Sequence, residues 1–324
     1  MNPPTITPTI TPTITVFVPT YNRSHLLGRV FESLKAQTFS DFEWVIVDDG
    51  SRDNTGELVR TWQESSPGFA IRYHRKPNGG KHTTINPGVE LARGEFIVIL
   101  DSDDWLAPNA LERMLSLWKD TPNQSIYSGI VGLCAHPDGQ VIGDRFPSDS
   151  FDSNAVDLAH THQIRGDKIS LSRTDVMREF PFPFQELRGL VTEALVWNRI
   201  AQKYQERYVN EIFAYKEYLE EGLSDRALEL QIQAAPATRL FHLELYKAKQ
   251  HLPWKTRLKS LANYIRFSMH ADRRMLETLQ DSGSMIKCLA LLPVGLALFF
   301  RDRKRFASQV NTAPATTLSK PIQD

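Results

Sequence analysis

The first 120 residues alternate between short apolar runs and amphipathic segments. Residues 14–18 form a β-branched apolar run, which predicts a buried strand, and residues 25–37 place leucine, valine and phenylalanine on one helical face. Further strand-and-helix pairs follow at residues 42–47 and 55–63, 70–74 and 83–93, and 95–100 and 108–119. This alternation predicts an α/β fold with a mostly parallel, Rossmann-like sheet flanked by helices.

The later chain is less regular. Residues 124–134 and 207–215 predict strands, residues 193–204 predict a helix, and the chain from residue 223 is mainly helical and basic. Residues 5–14 repeat Thr-Ile-Thr-Pro, and proline at every fourth position excludes a helix or an interior strand. We therefore expect a disordered leader over 1–13, a folded body over 14–222, a helical C-terminal extension over 223–310 and a disordered tail over 311–324.

Composition narrows the class of protein. With 41% hydrophobic and 23% charged residues, the chain is neither disordered nor fibrous, nor a multi-span membrane protein. Its 38 basic and 38 acidic residues cancel, which argues against nucleic acid as a partner. Residues 241–305, however, hold 13 Lys and Arg against 5 Asp and Glu, so this segment is predicted to meet an acidic surface such as a membrane.

Cysteine usage and the start of the sequence bear on location. Cys134 and Cys288 lie far apart, so neither a disulfide framework nor a zinc site is expected. The sequence begins without the basic and apolar segments of a signal peptide. We therefore expect a cytoplasmic protein, with the basic C-terminal region favouring the inner membrane face.

Polar residues follow three of the predicted strands. In an open parallel sheet the carboxyl ends of the strands form the ligand-binding edge, so these residues are expected to gather there. They are Thr20, Tyr21 and Asn22 after the first strand, Asp48 and Asp49 after the second, and Asp101, Asp103 and Asp104 after the fourth. Five clustered carboxylates repel one another and predict a cation among them.

Asp101 and Asp103 are two residues apart and therefore point the same way in extended backbone. Carboxylate oxygens suit Mg²⁺ or Mn²⁺, although such acids in isolation more often cap the following helix. The turn at residues 78–82 could present backbone N–H groups and Lys81 to an anion, or be a plain tight turn. After it, Asn86 suits an N-cap and Pro87 a first helical position, so the third helix could begin at Pro87 rather than Thr83.

Three segments in order resemble the family 2 glycosyltransferases: Val18 to Arg23, Val47 to Thr55, and Ala92 to Asp104. Members of this family are inverting, nucleotide-sugar-dependent enzymes of the GT-A fold. The resemblance covers residues 14–120 and thins beyond residue 125. It implies that residues 14–124 form the nucleotide-sugar-binding half of the domain and residues 125–222 the acceptor-binding half.

The resemblance also implies site residues. A divalent cation, Mn²⁺ or Mg²⁺, would be bound by Asp101 and Asp103, and the donor would be a nucleotide sugar, with UDP favoured as its carrier. The residues implied to bind this nucleotide sugar are Pro19, Thr20, Tyr21, Asn22, Arg23, Asp48, Asp49, Gly80, Lys81, Asp101 and Ser102.

Inverting transfer needs a base for the acceptor hydroxyl. Glu193 matches the family's acidic position at the start of a helix, where the helix dipole favours an ionised carboxylate. Ala194 follows it, whereas the family commonly has an adjacent acidic pair. Glu186 is the alternative base, and Glu193 could instead be an ordinary first-turn acid. Trp197 and the aromatic segment 180–184 could stack on a sugar or lipid, although core packing is favoured for most of these rings.

The uncharged run at residues 288–300 is too short to span a bilayer, since about 20 apolar residues are needed. It could lie in a membrane interface, be buried or form a dimer contact.

Together with the family resemblance, the sequence predicts an inverting glycosyltransferase that adds one sugar to a glycan or lipid-linked acceptor. Alternatives are a non-catalytic nucleotide-sugar-binding protein and a sugar nucleotidyltransferase, although residues 19–22 lack the latter's glycine-rich loop.

Overall fold

The computed structural model describes residues 11–183, 187, 189, 191–217 and 227–312. The chain divides into two compact units. The first extends to Ala227 and includes Lys249–Leu252, and the second contains Leu228–Ala248 and the chain from Pro253 onward. Most of the predicted leader, the tail from residue 313, Phe184 and Glu186 lie outside the described residues.

The first unit is built on one mixed sheet, whose described strands run in the order β3-β2-β1-β4-β8-β6-β9-β5, with β7 paired to β9. The strands are β1 Ile14–Thr20, β2 Phe42–Asp48, β3 Ala70–Arg75, β4 Phe96–Ile99, β5 Trp105–Leu106, β6 Tyr127–Ala135, β7 Ser150–Ser153, β8 Lys168–Arg173 and β9 Gln205–Tyr215. The helices of this unit are α1 Ser24–Lys35, α2 Thr55–Glu64, α3 His82–Leu91, α4 Ala110–Lys119, α5 Ala155–His160, α6 Thr174–Glu179 and α7 Ala194–Ile200.

The predicted α/β class is confirmed, and the strand-and-helix units of the first 120 residues form its parallel half. β1 pairs in parallel with β2 and β4, and β2 pairs in parallel with β3. The sheet becomes mixed beyond β4, because β8 runs antiparallel to both β4 and β6. After residue 121 strands and helices no longer alternate one by one, and only the pair β6 and β9 is parallel among the described strands of this later part.

Every residue of β1 is buried, because helices cover both faces of the sheet. Val16 and Val18 pack among side chains of α1, α2 and α4, while Phe17 points the other way, toward α3, α6 and α7. A strand buried on both faces has no polar side to show, so its sequence is a continuous apolar run. This is why the sequence pattern predicted β1 and β2 as buried strands.

One predicted helix boundary is wrong. Helix α3 begins at His82, with Pro87 inside it, rather than at Pro87. The Asn86 side chain does not cap the helix, because its amide donates to the Phe182 carbonyl and accepts from the Phe182 N–H at 2.9 and 2.8 Å. Pro87 has no N–H to donate to the Thr83 carbonyl, and its ring crowds that carbonyl, so it weakens the helix locally.

The second unit is helical, as the sequence predicted for this part of the chain. Its helices are α8 Ala227–Gln233, which begins at the boundary, α9 Ala235–Lys247, α10 Trp254–His270, α11 Met275–Asp281 and α12 Met285–Thr312. Leu243, Leu261, Tyr264, Ile265 and Cys288 form its core. No helix in the described part of the chain has the length and apolar content needed to cross a membrane.

Candidate functional site

Two depressions that share lining residues open where β1, β2, β4 and β9 end. The first, named here the outer cleft, has a volume of about 310 Å³, and the second, the inner cavity, about 400 Å³. Lys81 and Asp101 line both. The outer cleft is otherwise lined by Pro19, Thr20, Tyr21, Arg23, Asp49, Thr84, Ser102 and Asp103. Charged side chains in the inner cavity are, besides Lys81 and Asp101, those of Asp104, Asp167, Lys168, Glu193, Glu206 and Lys216.

Strand direction explains why these residues share one edge. The antiparallel strand β8 lies between β4 and β6, so β6 and its parallel neighbour β9 again point the same way as β1. Lys216, which follows β9, therefore lies at the same edge as Asp101, which follows β4. Asp167 joins them because it precedes the first residue of the reversed strand β8.

The turn at residues 78–80 surrounds a protein carboxylate. Asp49 accepts hydrogen bonds from the backbone N–H groups of Gly79 and Gly80 at 2.9 and 2.7 Å, and from Lys76 Nζ at 2.6 Å. Asn78 donates to the same carboxylate at 3.1 Å. The N–H groups that the sequence suggested for an anionic ligand are thus already engaged by Asp49, and the turn fixes this acid in the wall of the outer cleft.

Three predicted nucleotide-sugar residues are not among those lining the cleft. Gly80 donates to Asp49, as described above, and Asn22, with a left-handed backbone (φ 51°), accepts a hydrogen bond from the Arg52 N–H at 2.7 Å. The buried Asp48 carboxylate accepts from the Ser51 N–H at 2.7 Å and from the Tyr73 hydroxyl. These contacts hold the segments that follow β1, β2 and β3 in place at the edge of the sheet.

Lys81 lies between two carboxylates where the cleft and the cavity share their lining. Its Nζ is 2.5 Å from Asp101 Oδ1 and 2.8 Å from Glu193 Oε1. Glu193 immediately precedes α7, as predicted from the sequence. Burial opposes the positive charge of Lys81, but the two acids outweigh it and raise the pKa of the ammonium. One ammonium thus links the first acid of the Asp-x-Asp motif to the candidate base.

Lys216 is a site residue that the sequence analysis missed. Its Nζ lies 2.8 Å from Asp104 Oδ2, 3.4 Å from Asp167 Oδ2 and 3.6 Å from Asp101 Oδ2. Burial raises the pKa of Asp104 to about 7 despite this ammonium. At Asp101 burial acts in the same direction, but Lys81 and Lys216 together lower the pKa below its ordinary value. The rule that polar residues at strand ends form the site, applied to the predicted strand 207–215, would have identified Lys216.

Asp101 and Asp103 offer oxygen ligands in the outer cleft, but each already has a cationic neighbour. Arg23 donates to Asp103 Oδ2 at 3.1 Å, and Lys81 binds Asp101. No group of three His, Cys, Asp or Glu side chains arranged to hold a metal occurs among the described residues. Neither acid caps α4, which begins at Ala110 after Asn109, so the helix-capping alternative is wrong.

The outer cleft contains an unsatisfied polar atom. Thr20 is 4% exposed, and its hydroxyl has no hydrogen-bond partner among the described residues. A buried polar atom without a partner is costly unless a ligand or water satisfies it. The neighbouring Tyr21 is 43% exposed and offers an aromatic ring to the same cleft.

The lining of the inner cavity also includes an aromatic ring and a further acidic group. Trp197 lines it from α7, and Glu206 on β9 accepts a hydrogen bond from the Tyr208 hydroxyl. Burial raises the pKa of Glu206. Of the aromatic segment at 180–184, Phe182 is buried in the core and Phe180 packs against it, in agreement with the core-packing interpretation.

Comparison with known proteins identifies the family. Residues 15–178 match the model of glycosyl transferase family 2. The chain is 35% identical over 132 residues to a chondroitin synthase of Pasteurella multocida, a segment that covers 40% of the chain and 13% of that enzyme. It is 36% identical over 104 residues to a GalNAc(5)-diNAcBac-PP-undecaprenol beta-1,3-glucosyltransferase of Campylobacter jejuni, covering 31% of the chain and 32% of the relative. The matched segments span well under half of either relative.

Solved structures show the same fold. Residues 1–349 of S. aureus TarS, in complex with UDP-GlcNAc, align with a TM-score of 0.57 at 17% identity, covering 90% of this chain and 92% of TarS. The mannosyltransferase PcManGT of Pyrobaculum calidifontis, in complex with GDP-Man and Mn²⁺, aligns with a TM-score of 0.54 at 20% identity, covering 96% and 84%. The predicted GT-A fold is thereby confirmed. With the family model spanning half of its length, the chain belongs to glycosyltransferase family 2.

Proposed function

We propose that this protein is an inverting glycosyltransferase that moves a sugar from a nucleoside diphosphate, with UDP favoured, to a hydroxyl of a glycan or lipid-linked acceptor. The observation that carries the proposal is the position of Lys81 between Asp101 and Glu193. A donor that binds in the outer cleft with its sugar next to Lys81 would have its anomeric carbon close to Glu193. UDP-GlcNAc in TarS and GDP-Man in PcManGT support a nucleotide-sugar donor.

The outer cleft has the groups that a nucleotide diphosphate requires. Tyr21 offers a ring on which a base or ribose can pack, and the Thr20 hydroxyl is available as a hydrogen-bond donor. Arg23 and Lys81 supply positive charge for the diphosphate. Asn22, Asp48 and Gly80 would contribute by holding the cleft-forming segments in place rather than by touching the donor.

The inner cavity is the proposed acceptor site, and Glu193 is its base. Inverting transfer is an in-line displacement, in which the acceptor hydroxyl attacks the anomeric carbon and loses its proton to the base while the nucleoside diphosphate leaves. Glu193 lines the cavity, as this role requires, and is paired there with Lys81. A bound diphosphate competes for the same ammonium and thereby frees the carboxylate to accept a proton.

The residues present fit a divalent cation that completes its coordination with diphosphate oxygens. Mg²⁺ and Mn²⁺ are commonly held by one or two carboxylates together with substrate phosphates, and Asp101 and Asp103 both line the outer cleft. When bound, the cation would stabilise the negative charge of the leaving diphosphate. The Mn²⁺ in the PcManGT complex supports this part of the proposal.

The proposal extends to acceptor and location. The Campylobacter jejuni relative is named for an undecaprenol-linked acceptor, which supports a lipid-linked glycan as substrate here. Such acceptors are anchored in a membrane, so we place the protein in the cytoplasm at the inner membrane face.

The test is transfer assayed over a panel of nucleotide sugars with Mn²⁺, with and without lipid-linked glycan acceptors. Replacing Glu193 with Gln should lower kcat by a factor of about 10²–10⁴, while donor affinity is kept or raised because the diphosphate no longer competes with a carboxylate for Lys81. Glu179→Gln, an exposed substitution outside both depressions, is the matched control. Full activity of the Glu193 variant, or a product that retains the donor's anomeric configuration by NMR, would contradict the proposal.

A further inference from the structure

Helix α12 exposes a continuous apolar row. Ile286 is 84% exposed and Phe300 is 60% exposed, and apart from Lys287 the exposed positions between them are also apolar. They are Leu289, Ala290, Pro293, Val294 and Ala297. The spacing of three or four residues places them all on one side of the helix, and the row is about 21 Å long at 1.5 Å per residue. A helix side that faces water normally carries charged residues, and here it carries none from Cys288 to Phe300.

The opposite side of α12 is fixed by its contacts with α10. Cys288, Gly295 and Asp302 face inward at intervals of seven residues and are buried. A Cβ on Gly295 would lie 2.5 Å from the Ile265 side chain, so the two helices approach closely there. Asp302 accepts two hydrogen bonds from Arg266, at 2.5 and 2.7 Å. Rotation of the helix to bury its exposed row would break this ion pair.

The charges that α12 presents to the outside are all positive. Between residues 285 and 305 its single acid is Asp302, which is buried with Arg266. The exposed charged side chains in that range are Lys287, directly after Ile286 at the start of the apolar row, and Arg301, Arg303, Lys304 and Arg305 after its end. The row therefore has positive charge at both ends, which is the pattern of helices that lie in the headgroup region of an anionic membrane.

We propose that the exposed face of α12 docks onto an anionic lipid surface, with the helix parallel to the membrane plane. The row requires an apolar phase, which nucleic acid lacks. A second copy of the chain is disfavoured, because the row has positive charge at both ends, and aligning two α12 rows over their full length, parallel or antiparallel, brings these like charges together. Vesicle binding needs no sugar donor, so its measurement tests this proposal independently of the reaction proposed above.

The experiment is co-sedimentation of the full chain with phosphatidylcholine vesicles, with and without phosphatidylglycerol. We expect binding only to the anionic vesicles, weakened at about 0.5 M NaCl by charge screening. Ile286→Glu with Phe300→Glu should lower the partition coefficient about tenfold or more, and Arg301→Glu with Lys304→Glu should do the same without altering an apolar residue. Thermal unfolding of each variant verifies that it is folded.

The matched controls are in the first unit. Ile126, 46% exposed, is replaced with Glu, and the exposed Arg60 and Lys119 are replaced with Glu together. These controls should bind anionic vesicles as the unmodified chain does. Unchanged binding in both α12 variants would overturn the proposal. So would a vesicle-free dimer, detected by light scattering, that Ile286→Glu with Phe300→Glu dissociates while vesicle binding persists.

Discussion

Lys216 Nζ lies 2.8 Å from Asp104 Oδ2, which places the residue after the last long strand against the acids that follow β4. The same ammonium reaches Asp167 and Asp101, so one side chain offsets three carboxylates in the inner cavity. Because carboxylates held close together repel one another, this arrangement depends on the lysine charge. The site is therefore an ion network assembled from strands that are distant in sequence.

Lys216→Met should destabilise the protein in a pH-dependent way. Leaving the acids without their cation should lower the free energy of unfolding by about 3 kcal/mol at pH 7.5, the lower end for a buried ion pair because Lys216 is 19% exposed. The loss should be smaller at pH 5, because carboxyls whose pKa is raised in the folded state take up protons there, as Asp104 with its pKa of about 7 already does. Urea unfolding at both pH values measures this. Lys119→Met is the exposed control, and equal losses at the two pH values would contradict the charge argument.

Thr20→Val should separate ligand binding from stability. The Thr20 hydroxyl is buried without a partner among the described residues, so the free energy of unfolding should stay equal or rise by up to about 1 kcal/mol. If the hydroxyl binds the donor, the Kd for the nucleotide sugar should rise about 3- to 10-fold. Calorimetric titration with the nucleotide sugar and urea unfolding of the same variant test both. A stability loss without a change in Kd would show that the hydroxyl is structural.

The same substitution should have opposite effects in two helices. A Cβ on Gly28 in α1 would have no atom within 4 Å, so Gly28→Ala should stabilise the protein by about 0.5–1 kcal/mol through helix propensity. A Cβ on Gly88 in α3 would lie 2.5 Å from the buried Phe17 ring, so Gly88→Ala should destabilise by about 1–3 kcal/mol. Chemical unfolding of both variants checks the signs. A higher free energy of unfolding in both variants would mean that α3 can move away from β1.

His242 should make the second unit sensitive to acid. Burial, reinforced by the charges of Arg266 and Lys259, lowers the pKa of this imidazole to about 3. The unfolded chain binds a proton near pH 6.5 and the folded chain does not, so stability is full above pH 6.5 and falls as the pH drops toward 3.

The variant His242→Phe keeps an aromatic ring against Phe267, with which the imidazole stacks at 5.7 Å. Between pH 6 and 4 its free energy of unfolding should fall less steeply than that of the unmodified chain, by up to about 1.4 kcal/mol per pH unit. Urea unfolding across this range measures the slope. Identical slopes would show that the imidazole is protonated in the folded protein.

Sequence reasoning located the outer cleft because its residues directly follow apolar strands. Thr20, Tyr21, Asp49 and Asp101 needed only the strand pattern and the rule for carboxyl ends. It did not show that the Asp49 carboxylate is held by the turn at residues 78–80, nor that Asn86 bonds to the backbone of Phe182 rather than capping a helix. Hydrogen bonds between distant segments are set by the packing of one element on another, which a local pattern does not contain.

The amino-acid sequence by itself determined the buried strands, the family and the edge of the sheet that carries the acids, because each is encoded in neighbouring residues. Only the tertiary structure decided that Lys216 and Asp167 join that edge, since this follows from the reversed direction of β8. It also decided which side of α12 faces outward. Residues 288–300 are apolar all round the helix, so the burial of Gly295 and the Arg266–Asp302 ion pair, rather than hydrophobicity, fix the orientation.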